Sequence, residues 1–179
     1  MSSDADREEP GHDLSTWTLG QLQAFIHDVR GRQLETARVA AQAQAYNPSH
    51  PHEARRQWAK LSLLANRRML DHAEGLPARV AQQDFILRTW VIDRLGPDGT
   101  DPDWSPKALA SDTLDALSFT APQAAALAEG WCGLPTGQIR ELRRHKNLTA
   151  HLDSLVAYLA PGLVREQLVT WTATRPLLP

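Results

Sequence analysis

The chain has 179 residues and a formal charge of −2, from 19 basic and 21 acidic side chains. That length suits one ordinary domain, or a domain with a small appendage, and is too short for a barrel enzyme with its full ring of helices. The charge balance excludes a chain-wide positive field, so any hold on nucleic acid must come from a local patch.

Residues 1–13, MSSDADREEPGHD, are acidic and polar and lack the basic start and apolar stretch of a signal peptide, so a disordered tail is expected. From Thr18 to Tyr46, the residues Leu19, Leu22, Ile26, Val29, Leu34, Ala37 and Ala41 recur at helical steps, which predicts one long helix weakened at Gly31. Asn47-Pro48 stops it. A second helix is predicted over His52–Glu74, with Gly75 at its end, and a third over Pro77–Leu95, where a wide apolar arc suits a central position. The run Gly96 to Asp103 is turn-rich and acidic, and the loop 96–105 is the candidate sub-boundary. Ser105-Pro106 and Thr120 open two short helices, to Leu117 and Trp131; two more are predicted over Thr136–Leu159 and Leu163–Thr172. Residues 120–179 then form a basic C-terminal part. The six Trp, spread through these segments, are expected as core pegs.

Composition agrees with that list. The chain has 25 Ala and 25 Leu against 4 Ile and 7 Val, so helix formers outnumber residues that suit pleated sheets. The expected fold is all-α, a single helical bundle of six or seven helices over residues 14–179. With the lone Cys132 no internal disulfide forms, and no apolar run reaches the roughly 18 residues of a membrane span. A cytoplasmic protein without membrane contact is expected. There is no GxGxxG, no GxxxxGK[ST] and no GxSxG, so no cofactor is expected.

The densest chemistry lies between Gln138 and Leu152. Helical spacing turns Ile139, Leu142, His145, Leu148 or Thr149, and Leu152 inward, which makes His145 a structural histidine. Arg144, Asn147 and His151, at steps of three and four, share another side, where a guanidinium, an amide and an imidazole can converge on a phosphate. The run IRELRRHKNLTAH resembles the signature segment of HEPN domains, in which an Arg, four to six residues, and a His line a cleft between two protomers. Arg144 with His151 fits that spacing, Arg140 with His145 fits it too, and Lys146-Asn147 to His151 is similar to the Arg-Asn-x-x-x-His form with Lys in place of Arg. The resemblance implies a metal-independent ribonuclease or an inactive relative acting as a homo-oligomer. His151 would be the acid or base, with Arg144, Lys146 and Asn147 on phosphate.

Three other readings stand beside it. As a helix-turn-helix, loosely similar to pieces of LuxR-type domains, the 120–131 helix would precede a recognition helix bearing Gln138, Arg140, Arg143, Arg144 and Lys146 toward DNA. As an ordinary solvated face, the same residues do no chemistry and the protein is a non-catalytic scaffold or interaction module. His50, His52 and Glu53 are possible metal ligands, but no HExxH, Cys pair or Glu-x-x-His supports them, so no metal site is assigned; Asp98, Asp101 and Asp103 form an acidic turn without calcium-loop spacing.

Overall fold

The computed structural model describes residues 13–70, 77–117, 119–149 and 153–174. Among them are eight helices of nine residues or more, one helix of a single turn, and no strand. The all-α expectation holds at that level. The chain divides into two compact units, Met1–His72 and Ala73–Pro179. Of the tail, residues 1–12 lie outside the described residues.

In the first unit, Asp13 accepts the Ser15 N–H at 3.0 Å and opens a 3-10 turn at Leu14–Thr16. Helix α1 (Leu19–Asp28) starts on a capping box, with the Gln21 N–H donating to Thr18 Oγ1 and the Thr18 N–H to Gln21 Oε1. The predicted 18–46 helix is in fact two. The chain extends at Val29 and passes through Gly31 at φ 55° and ψ −127° before α2 (Arg32–Tyr46) begins. That backbone conformation disfavours any residue with a Cβ, so Gly31 is where the chain turns between two helices rather than a weak point within one. The break is one reason the helix count exceeds six or seven. Helix α3 (His52–Leu70) packs most extensively on α2. Ala37, Ala41 and Ala45, at steps of four on α2, are fully buried, and side chains this small let two helix backbones approach closely. Arginines close the helix ends: Arg55 Nε donates to Ala45 O at 2.9 Å, and Arg68 donates to Ile26 O.

The second unit opens with α4 (Pro77–Leu95), which ends at Gly96 with φ 91°. The loop 96–105 is tied back onto α4. Buried Arg88 donates to Pro102 O at 3.0 Å, to Asp103 O at 3.1 Å and to Asp112 Oδ2 at 2.7 Å. Trp104, only 1% exposed, anchors the loop from inside. Next come α5 (Pro106–Asp115), capped by Ser105, and α6 (Ala121–Glu129), capped by a Thr120–Gln123 box. A 3-10 turn at Trp131–Gly133 leads to α7 (Thr136–Thr149). The one-turn α8 (Asp153–Val156) and α9 (Leu163–Thr174) complete the described chain. Of the predicted 136–159 helix, α7 and α8 are present, and residues 150–152 lie outside the described residues. Two apolar clusters hold the unit together. One joins Phe85 and Ile92 of α4 to Leu109, Leu148, Leu155 and Leu168; the other joins Ala121 and Ala124 of α6 to Leu142 and Trp171. Helix α7 contributes to both.

Two glycines separate backbone strain from space, since an added Cβ meets nothing within 4 Å at either. Gly31→Ala should destabilise the protein by about 1–2 kcal/mol through strain alone. Gly20→Ala, in α1, should stabilise it by about 0.5–1 kcal/mol. Urea midpoints measure both, and equal effects of the two substitutions would rule out the strained turn.

Candidate nucleic-acid interface

Helix α7 starts where Pro135 offers its carbonyl to the Gln138 and Ile139 N–H groups, at 2.9 and 3.1 Å. Leu142, His145, Leu148 and Thr149 follow at helical spacing and are all buried. His145 is fully enclosed. Its ring centroid lies 5.1 Å from that of Phe119 and 5.7 Å from that of Trp171, the latter edge-on. Its Nε2 is 3.6 Å from Glu141 Oε1, and Thr149 Oγ1 donates to its carbonyl at 2.7 Å. Burial, and after it the neighbouring positive charge of Arg144, lowers the His145 pKa from its ordinary value, against an opposing pull from Glu141.

Burial of that stripe sends the remaining side chains outward. Arg140, Arg143 and Asn147 are exposed and share one face at steps of three and four. Among the described residues, none of these three side chains makes a hydrogen bond or an ion pair. Arg144 differs. It is half-buried, donates to Ala116 O at 2.9 Å where α5 ends, and pairs with Glu141. Lys146 is half-buried on the flank, and Gln138 projects from the first turn on the side opposite Arg140 and Asn147.

The expected constellation is therefore only partly assembled. Arg140 and His145, one pair with the HEPN-like spacing, are not brought together, since one faces solvent and the other the core. His151, the expected acid or base, lies outside the described residues. Arg144 and Asn147 sit a turn apart, with the guanidinium of the first held by Ala116 and Glu141. The clamp of Phe119 and Trp171 on His145 left no linear signal, because each lies 26 residues from it on another part of the chain.

The other candidates resolve into local structure. His50 Nε2 is 2.7 Å from Gln44 Oε1, His52 is exposed, and Glu53 accepts from Gln57 at 2.9 Å. Asp98 accepts the Thr100 N–H and Asp101 the Asp103 N–H, as an acidic turn does. Among the described residues no group of three His, Cys, Asp or Glu side chains is placed to hold a metal ion, and no helix is long and apolar enough to cross a membrane. Comparison with protein-family models, with curated proteins and with solved structures finds no match to this chain.

The pH dependence of stability tests the buried imidazole. With its folded-state pKa below the unfolded one, His145 takes up its proton more readily in the unfolded chain, so stability is intact above pH ~6.5 and falls as the pH drops below that value. From about pH 7.5 to pH 5.5, wild type should lose more stability than His145→Leu, with a slope difference of at most about 1.4 kcal/mol per pH unit. Parallel urea-midpoint profiles would mean that the imidazole titrates as in the unfolded chain.

Proposed function

We propose that the second unit binds nucleic acid through the solvent face of α7, with Arg140, Arg143 and Asn147 on phosphates. The observation that carries this reading is the contrast among arginines. Arg88 and Arg144 are committed to backbone carbonyls and carboxylates within the unit, while Arg140 and Arg143 are exposed on a common face with Asn147. Guanidinium groups so displayed pair readily with phosphate oxygens. The succession of α6, a short connection and α7 favours duplex DNA, with α7 laid in a major groove and α6 behind it. A two-fold homodimer would double the patch on a chain whose overall charge is slightly negative.

A HEPN-like ribonuclease is the second reading. What favours it is the exposure of Asn147 on this face, where the HEPN-like motif places its amide, with His151 four residues further along the chain as acid or base. If neither activity is found, the unit acts as an interaction module.

Anisotropy of labelled duplex DNA and of single-stranded RNA, titrated at low and high salt, decides among these. The Arg140→Ala/Arg143→Ala variant should bind duplex about tenfold more weakly and flatten the slope of log K against log salt by about 2, at roughly 0.9 per phosphate contact. Wild-type binding by that variant would overturn the assignment of α7. RNA cleavage without metal, lost in His151→Ala, would establish the catalytic reading instead.

A further inference from the structure

A groove bounded by the end of α5, the start of α6 and one face of α9 encloses about 490 Å³, the scale of a small-molecule site. Leu114, Leu117, Phe119 and Trp171 supply its apolar wall, and Asp115 and Glu166 place carboxylates along it. No Lys, Arg or His is among its described lining residues. Two of the donors that an anion would seek at the start of α6 are already used, because the Thr120 N–H donates to Gln123 Oε1 at 2.9 Å and the Gln123 N–H to Thr120 Oγ1 at 3.4 Å. Both aromatic residues are backed by the buried His145, which holds their rings in place.

We propose that this groove binds an organic cation with an apolar body, such as an aryl- or alkylammonium. Its charge is matched by Asp115 and Glu166, and its apolar part lies against Phe119 and Trp171. Two carboxylates with no basic neighbour in the lining attract a cation and repel an anion, and aromatic rings add to that attraction. The apolar wall rewards hydrocarbon that a hydrated metal ion does not carry. The inference rests on the groove alone and does not depend on what α7 binds.

Three probes that share a benzyl body separate the contributions: benzyltrimethylammonium, benzyl alcohol and phenylmethanesulfonate. Each is titrated into the isotope-labelled full chain at low salt while the Trp171 indole and the Gln167 and Thr170 amide resonances are followed. The cation should give saturable shifts at these positions, the alcohol much weaker ones, and the sulfonate none. Asp115→Asn/Glu166→Gln changes two exposed side chains, so its thermal midpoint should match wild type while cation affinity falls about fivefold or more. Equal binding of alcohol or sulfonate, undiminished cation binding by the double variant, or no saturable shift at millimolar cation would each overturn the proposal.

Discussion

Leu142, His145, Leu148 and Thr149 lie on the buried side of α7 and thereby hold the rotation of that helix about its axis. A shift by one residue would carry Arg143 toward the interior, where an unpaired guanidinium costs several kcal/mol, and would expose Leu142. The imidazole is the demanding member of the set. Enclosed by Phe119 and Trp171, it is pushed toward its neutral form, and Glu141 stands between it and the Arg144 guanidinium. From this one constraint follow the exposure of Arg140, Arg143 and Asn147 and the backing of the groove wall.

Four arginines serve the backbone. Arg55 and Arg68 close the ends of α2 and α1, Arg88 ties the 96–105 loop to α4, and Arg144 meets the carbonyl that follows α5. A planar fork of donors on a long stem suits this task, since it reaches orphan carbonyls at helix ends while its charge stays near solvent or a carboxylate. The same fork suits phosphate. An arginine-rich composition therefore says little about function until the structure shows which guanidinium groups the fold already uses.

In the proposed complex, two exposed arginines and an amide position a phosphate backbone, and backbone contacts of that kind carry little sequence information. Gln138, on the opposite side of α7, cannot read a base in the same groove that Arg140 lines. Binding of this type is salt-sensitive and broad, and selectivity would have to come from oligomerisation or from the shape of the nucleic acid. The acidic groove on the same unit has the opposite preference, since Asp115 and Glu166 repel the phosphates that Arg140 and Arg143 attract.

Local features were legible in the residues. The caps at Ser105 and Thr120, the first-turn prolines at 77 and 106, and the inward placing of His145 all depend on neighbours within a turn or two, and such short-range preferences can be read along a chain. The break at Gly31 was visible only as a weak point, because the apolar stripe runs across it and a stripe carries no information about backbone continuity. The return of the loop 96–105 onto α4 was not visible for a similar reason: turn residues mark a change of direction but not whether a side chain such as Arg88 draws the loop back. The sequence by itself determined the helical class, most of the helix starts and the buried side of α7. Only the tertiary structure decided the division into two units, the enclosure of His145 by Phe119 and Trp171, and the commitment of Arg144 to Ala116 and Glu141, because each depends largely on which far-apart segments meet.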